Sequence, residues 1–286
     1  MRKIFEGYSQ TLKQTEVEEV ADLVFYRPLG YLIVLIVKRW PVTPNHLTFI
    51  ALGFGAISGY FYSLGTSYAF ILAAVFLLLF NIFDCSDGQL ARLKRNGTAF
   101  GRIIDGVADY ITGIFTYVGI GIGFANHTSD PLLWWTLLII TAITNIFHSM
   151  MTDHRRSRFL EGSTGTANTA PEETQRLRDL IASQEFQSFS APNRIITKIY
   201  YRYNVLLAKM AGKHSVKTKN QGAYYAANKR IMKFWTFLGP TTQITFLVIC
   251  SFFGDFYTFI LGTIIVFNIY AIILAIWQHQ INRKLS

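Results

Sequence analysis

The chain has 286 residues, of which 51% are hydrophobic and only 15% are charged. A soluble domain carries about 25% charged residues, and the mean hydropathy of this chain is +0.29. These values argue against a soluble globular domain, a disordered chain and a fibrous repeat. The net charge is +10, so we expect membrane lipids and phosphorylated substrates as partners, and no nucleic acid.

Residues 1–43 are interpreted as an N-terminal juxtamembrane segment, because charged and polar residues precede its one apolar stretch, Leu29–Val37. A spanning helix needs about 20 apolar residues, and this stretch is much shorter. We interpret it as an interfacial or re-entrant helix, with a seventh span as the alternative.

Six later stretches are long and apolar enough to cross a bilayer, so the sequence predicts an all-α integral membrane protein with six transmembrane helices. They are Leu47–Leu64, Ser67–Ala91, Thr98–Ala125, Pro131–Met151, Ile231–Phe253 and Phe256–Trp277. The first four fall in residues 44–152 and the last two in residues 231–286. Residues 153–230 are predicted to form a cytoplasmic helical insertion.

Charge predicts the orientation of these helices. The short loops near Gly65, at Asn126–Asp130 and near Gly254–Asp255 contain no lysine or arginine. The positive-inside rule therefore places both termini, the turn at 92–98 and the insertion in the cytoplasm. An even number of spans agrees with that arrangement.

Two parts of the insertion have sequence patterns that predict their local structure. Glu161–Ala170 is rich in small polar residues, which is typical of a flexible linker, and Pro171 with Glu172 and Glu173 predicts a helix start. Arg194–Met210 places apolar residues at helical spacing, with basic residues largely elsewhere. This amphipathic helix either lies on an anionic membrane surface or packs on the protein itself, and both alternatives stay open.

Four aspartates, Asp84, Asp87, Asp105 and Asp109, lie at the same end of two adjacent predicted spans. Each aspartate at a bilayer centre costs ~2.5–3.5 kcal/mol, so the cluster requires compensating positive charge. Spacings of three and four residues place each pair on one helix face. The turn at Lys94–Thr98 makes the two helices antiparallel neighbours, so the two acidic faces can meet.

The residue types around these aspartates indicate what they bind. An all-oxygen ligand set favours Mg²⁺ or Mn²⁺ over zinc, and four carboxylates exceed what one Mg²⁺ normally takes from protein, so we expect two ions. Gly88, Ala91 and Gly101 leave room for a flat base and a pyrophosphate, and Arg92 and Arg102 add positive charge at the mouth.

The same stretch resembles the signature of the CDP-alcohol phosphotransferase family, also named CDP-alcohol phosphatidyltransferase: D-x2-D-G-x2-A-R-x8-G-x3-D-x3-D. All eight fixed positions and every spacing are kept. They are Asp84, Asp87, Gly88, Ala91, Arg92, Gly101, Asp105 and Asp109. Residues 43–48 are also similar to many members, whereas the 153–230 insertion is longer than in compact members.

The resemblance implies an enzyme that transfers a phospho-alcohol from a CDP-linked donor to a hydroxyl acceptor and releases CMP. It implies that Asp84, Asp87 and Asp105 are ligands of a two-metal site, and that Asp109 is the general base and a further metal contact. The implied CDP-binding residues are Gly88, Ala91, Arg92 and Gly101. The site would lie at the cytoplasmic interface of the inner or plasma membrane, because one substrate is soluble and the other lipidic.

Substrate identity has several alternatives. We expect phosphatidyl transfer from CDP-diacylglycerol to a small alcohol or polyol phosphate, in phospholipid biosynthesis. A soluble CDP-alcohol donor with a lipid or polyol acceptor is the alternative, and a cation transporter is an alternative of another class. His148 and the run Asp153–Arg158 end the fourth span near the same face. The basic residues there either bind a phosphorylated acceptor or serve as positive-inside anchors.

Two glycine pairs, Gly55/Gly59 and Gly119/Gly123, have the spacing of close packing between membrane helices. Such glycines are compatible with a dimer, and the resemblance implies a homodimer, but the sequence does not place its interface.

Overall fold

The computed structural model describes residues 7–12, 14–165, 170–211 and 220–285, and all of its regular elements there are helical. The predicted all-α class is confirmed. The helices are α1 (Arg27–Val37), α2 (Pro44–Ser63), α3 (Ser67–Lys94), α4 (Ala99–Ala125), α5 (Pro131–Thr164), α6 (Ala170–Ala182), α7 (Gln184–Ser188), α8 (Ala191–Ala211), α9 (Gln221–Trp235), α10 (Pro240–Phe253), α11 (Phe256–Leu261) and α12 (Asn268–Leu285). Short π-helical segments, Asp22–Tyr26 and Gly262–Phe267, lead into α1 and α12.

Four of the described stretches are long and apolar enough to cross a membrane, and a fifth is obtained if α9 and α10 count as one bent span. The four are Ser67–Lys94, Phe100–Ala125, Pro131–Thr164 and Phe256–Lys284. They are typical of an integral membrane protein, whereas the predicted number of six spans is not confirmed. Helix α2 does not meet the same criteria, and α1 has only 11 residues.

The predicted span Ile231–Phe253 is broken, and its two halves meet at an angle of 43°. The break lies at Gly239, whose extended backbone (φ −71°, ψ 163°) separates α10 from a 3-10 turn at Thr236–Leu238. Pro240 then begins α10, where its missing N–H costs nothing because the first helical N–H groups have no partner inside the helix.

Two predicted boundaries fall inside helices. Helix α5 continues to Thr164 and ends at Gly165, which adopts a left-handed φ of 71°. Residues 161–164 of the predicted linker are therefore helical, and residues 166–169 lie outside the described part of the chain. Helix α9 begins at Gln221 and runs through the predicted boundary at 230/231.

Helices α2 and α4 approach each other closely because glycines face one another. A Cβ atom on Gly119 or Gly123 would collide with the backbone carbonyl oxygens of Gly59 and Tyr62. The interpretation of these glycines as packing residues is thus supported, and the contact they make is inside one chain.

The insertion folds onto the first turns of α4. Ile103 of α4 is fully buried with Leu177 and Leu180 of α6, and Tyr200 of α8 packs against the same cluster. The predicted helix starting near Pro171 and the predicted amphipathic helix are both present, as α6 and α8. The insertion therefore lies beside the end of α4 that carries Asp105.

Candidate active site

The turn between α3 and α4 holds the two halves of the aspartate motif together. Thr98 caps α4 by accepting a hydrogen bond from the backbone N–H of Gly101 (2.9 Å). Lys94 Nζ donates to the carbonyl oxygen of Val42 (2.8 Å), which ties the turn to the segment that leads into α2. Three helices thus converge at this end of the bundle.

Three of the four predicted metal ligands come together there. Oxygens of Asp84, Asp87 and Asp105 all lie within 4.8 Å of one another. Asp84 Oδ1 is buried and has no hydrogen-bond partner among the described residues. Oxygens on opposite sides of a six-coordinate Mg²⁺ are about 4.2 Å apart, so a small contraction would fit the three carboxylates around one divalent cation.

Asp109 lies one helical turn beyond Asp105 on α4 and is exposed. It is not part of the converging group of three, although its charge acts on Asp84. The fourth aspartate therefore lies close enough to Asp84 for its charge to act there, and it is exposed at the same time. Its predicted roles as general base and metal contact stay predictions.

Helix α2 supplies two polar residues at the site whose role the sequence pattern does not indicate. Thr48 Oγ1 donates a hydrogen bond to Asp87 Oδ2 (2.5 Å), and Asn45 Oδ1 lies 3.0 Å from the place that a Cβ on Gly101 would occupy. Their spacing of three residues, on one face of a helix start, was the available signal. Neither residue could be linked to the aspartates before the α2–α3 contact was known.

The predicted nucleotide-binding residues surround the same aspartates. A Cβ on Gly88 would meet only the Arg92 guanidinium, at 3.5 Å, and Ala91 lies on the next turn of α3. Arg92 Nε donates to the carbonyl oxygen of Thr11 (2.5 Å). The N-terminal segment therefore fixes the position of Arg92, which the sequence did not indicate.

Buried ionic contacts anchor that N-terminal segment. Arg27 pairs with Glu18 at 2.7 Å, and both side chains are more than nine-tenths buried. Glu19 accepts hydrogen bonds from the N–H (2.8 Å) and the hydroxyl (2.9 Å) of Thr242 at the start of α10. Burial raises the pKa of the Glu19 carboxyl to about 7, although Arg156 and Thr242 act to lower it.

The arginines at the end of α5 contact two different parts of the molecule. Arg156 donates to the carbonyl oxygen of Val17 (2.9 Å) in the N-terminal segment. Arg155 lies over the ring of Trp235, 5.1 Å from its centroid. Arg158 and Arg155 line a cleft between α5, α9 and α12. Its polar lining is completed by Tyr224, Asn228, Gln278 and Asn282.

His148 lies in the interior, unlike the basic residues that follow it on α5. Its ring is fully buried, and Nε2 is hydrogen-bonded to Asn268 Oδ1 (3.1 Å) on α12. It therefore links two helices in the interior of the bundle.

Comparison with known proteins agrees with this geometry. The family model for CDP-alcohol phosphatidyltransferase matches residues 41–169, which include α2, the aspartate motif and the whole of α5. Residues 41–169 are therefore similar to the CDP-alcohol phosphatidyltransferase family. The family resemblance stated from the motif is thereby confirmed, and the CDP-alcohol phosphatidyltransferases are transferases of substituted phosphate groups.

One curated relative of the CDP-alcohol phosphatidyltransferase segment is the phosphatidylinositol phosphate synthase of Corynebacterium glutamicum. It is 36% identical to this chain over 89 residues. The matched part covers 31% of this chain and 38% of the relative, so the similarity spans well under half of either protein.

Proposed function

We propose that this protein transfers a phosphatidyl group from CDP-diacylglycerol to the hydroxyl of a small alcohol or polyol phosphate, with release of CMP, in phospholipid biosynthesis. The observation that carries the proposal is the convergence of Asp84, Asp87 and Asp105 within 4.8 Å, inside a segment that matches the family. Apolar candidate spans beside the site suit a lipidic donor.

The buried, unpartnered Oδ1 of Asp84 supports a metal-binding role for the three carboxylates. When bound there, Mg²⁺ or Mn²⁺ would neutralise the charge of the diphosphate and of the leaving CMP. Two ions per site remain our expectation. Thr48 orients Asp87 through its hydrogen bond, and Asn45 borders the space beside Gly101.

The transfer is a displacement at phosphorus. The acceptor hydroxyl oxygen forms a bond to the phosphorus that carries diacylglycerol, and the bond from that phosphorus to the bridging oxygen of the diphosphate breaks. CMP leaves with the bridging oxygen. The proton of the acceptor hydroxyl passes to the carboxylate of Asp109, whose exposed position on α4 is open to an acceptor.

The acceptor class is inferred from charge. Arg155 and Arg158 line a polar cleft in which none of the described lining residues is acidic, and neighbouring guanidinium groups suit a phosphate. The relative's name, phosphatidylinositol phosphate synthase, points in the same direction. We therefore propose a phosphorylated polyol as the preferred acceptor.

The proposal includes a topology. Residues 1–43 would form the juxtamembrane segment, residues 44–152 four spans, residues 153–230 the cytoplasmic insertion and residues 231–286 two further spans. Both termini and the site would face the cytoplasm, and two chains would form a homodimer. Labelling of single introduced cysteines with a membrane-impermeant reagent tests the orientation, and the mass of the detergent-solubilised protein tests the dimer.

The decisive experiment measures CMP release by the full chain in lipid nanodiscs supplied with CDP-diacylglycerol, Mg²⁺ and a panel of alcohols and alcohol phosphates. We expect Asp105→Asn to lower the rate by about 10²–10³-fold, the usual cost of removing one electrostatic contributor, without a change in thermal stability. Asp255→Asn is the control, because Asp255 only caps α11 through Thr258 and asparagine caps equally well.

Undiminished CMP release by Asp105→Asn would contradict the proposed site. Release of CMP only from a soluble CDP-alcohol would instead support the alternative donor. For the acceptor, Arg158→Ala should raise KM for alcohol phosphates more than for uncharged alcohols, and Arg178→Ala on α6 provides the matched loss of an exposed arginine. Equal effects on both acceptor types would remove Arg158 from the proposal.

A further inference from the structure

Helix α8 presents aliphatic side chains to the outside of the molecule. Ile195, Ile199 and Leu206, which we call the aliphatic stripe, are 59%, 63% and 57% exposed. At about 100° per residue they share one side of the helix. Exposed aliphatic side chains on one side of a helix outside the candidate spans indicate an interaction site.

A second stripe of positive charge runs directly beside the first. Arg194, Lys198 and Arg202, which we call the basic stripe, follow one another at intervals of four residues and are all exposed. The sequence of α8 contains no aspartate or glutamate. Two members of each stripe line a shallow groove on the surface of the helix. Adjacent aliphatic and basic stripes are complementary to acyl chains and lipid phosphates, respectively.

A neighbouring face of α8 is attached to α4 near the end of a candidate span. The hydroxyl of Tyr203 is hydrogen-bonded to that of Tyr110, and the Tyr200 ring lies 3.4 Å from the position that a Cβ on Gly106 would take. One turn further along α4, Ile114 is 61% exposed on the span itself. The attachment therefore holds the free face of α8 at the level where the apolar surface of α4 begins.

We propose that α8 docks on the anionic surface of the surrounding bilayer, with the aliphatic stripe among the upper acyl chains and the basic stripe at lipid phosphates. Of the two alternatives that the sequence left open for this helix, packing on the protein accounts for its inner face. The lipid surface accounts for its outer face. This docking is independent of the proposed transfer reaction, so it can be tested without measuring turnover.

The test uses the full chain with Ile199→Cys, labelled with an environment-sensitive nitrobenzoxadiazole fluorophore. Unsubstituted protein measures the background from Cys85 and Cys250, which are half-buried and buried. We expect the emission to shift to the blue and brighten in nanodiscs that contain phosphatidylglycerol, compared with nanodiscs of phosphatidylcholine alone. Arg178→Cys on the exposed side of α6 is the matched control and should show no such difference.

Charge reversal tests the basic stripe. Arg202→Glu in the labelled protein should reduce the ratio of docked to undocked helix at least about five-fold, the effect of one basic residue near an anionic surface. Arg178→Glu carries the same charge change away from the stripe and should leave the ratio unaltered.

Three results would overturn the proposal. The first is the same emission change at positions 178 and 199, because the change would then not be specific to the stripe. The second is an equal blue shift in neutral and anionic nanodiscs. The third is a blue shift in detergent that grows with protein concentration, which would assign the aliphatic stripe to a second copy of this chain.

Discussion

The two ends of the helix bundle are held together by different kinds of contact. At the end away from the aspartates, aromatic rings fill the core: Phe124 stacks on Trp134 with centroids 4.6 Å apart and on Phe70 at 5.5 Å. Phe256 meets Phe70 edge-on at 4.7 Å. At the aspartate end, buried charged groups such as Glu18, Glu19 and Arg27 form the contacts.

Glycine shows the same contrast within two neighbouring helices. Gly119 and Gly123, towards the aromatic end of α4, allow close contact with the backbone of α2. A Cβ on Gly88 or Gly101, at the aspartate end, would have side-chain atoms as its nearest neighbours, at 3.0–3.5 Å. The same residue type thus serves helix packing in one place and leaves room beside a polar site in the other. The surroundings of a glycine decide which role it has.

The largest expected effect tests the charged end, through the pH dependence of Glu19. Its pKa is about 7 in the folded protein against 4.5 for the free side chain. The folded state therefore binds the proton of Glu19 more tightly than the unfolded chain does. The protonated carboxyl makes its full contribution to the free energy of unfolding below pH 4.5, and that contribution is lost as the pH rises through 7. The difference corresponds to about 3 kcal/mol.

We expect the thermal midpoint of the purified protein to fall between about pH 5 and about pH 8, and Glu19→Gln to flatten that dependence. Glutamine keeps an oxygen that can accept from the Thr242 N–H but does not ionise. Unfolding followed by intrinsic fluorescence in nanodiscs measures both proteins. An unchanged slope in the variant would mean that other groups cause the pH dependence.

The next largest effect tests the glycine packing towards the aromatic end. Gly119→Val should destabilise the protein by about 1–3 kcal/mol, because its Cβ would meet the carbonyl oxygen of Gly59 and the two helices must separate. Gly113→Val is the control on the same helix, since a Cβ there has no atom within 4 Å. Thermal unfolding measures the difference, and equal stabilities would remove the distinction between the two kinds of glycine.

The smallest expected effect tests whether the glycine beside the aspartates leaves room for substrate. Gly101→Ala would place a Cβ 3.0 Å from Asn45 Oδ1 and 3.1 Å from Thr98 Oγ1. A single displaced contact of about 1.4 kcal/mol corresponds to about ten-fold in kcat/KM for CDP-diacylglycerol, with little change in thermal midpoint. The control is Gly97→Ala, whose Cβ would make an ordinary 3.6 Å contact with Ala91. A loss of stability without a loss of activity would place Gly101 with the packing glycines.

Much of the local structure could be predicted because its causes are local. Apolar runs predicted α3, α4 and most of α5, and the spacing of three and four residues predicted the convergence of Asp84, Asp87 and Asp105, which the structure shows. Two predicted spans differ in extent from the helices that contain them. The span ending at Phe253 is interrupted at Gly239, and the helix that contains the span Pro131–Met151 continues to Thr164.

The remaining site residues depend on contacts between distant segments. Thr11 positions Arg92 across 81 residues of chain, and Thr48 reaches Asp87 across 39. A pattern within one helix carries no information about which other helix lies beside it. The division of Arg155 and Arg156 between a cleft and the N-terminal segment has the same origin.

The sequence by itself determined the helical class, the apolar character and the acidic motif, because hydrophobic period and residue spacing act within one helix. Only the tertiary structure decided which glycines pack helices, which polar residues join the aspartates, and which face of α8 remains outside. Those outcomes depend on how complete helix surfaces fit together, and that fit is a property of pairs of helices rather than of any single stretch of chain.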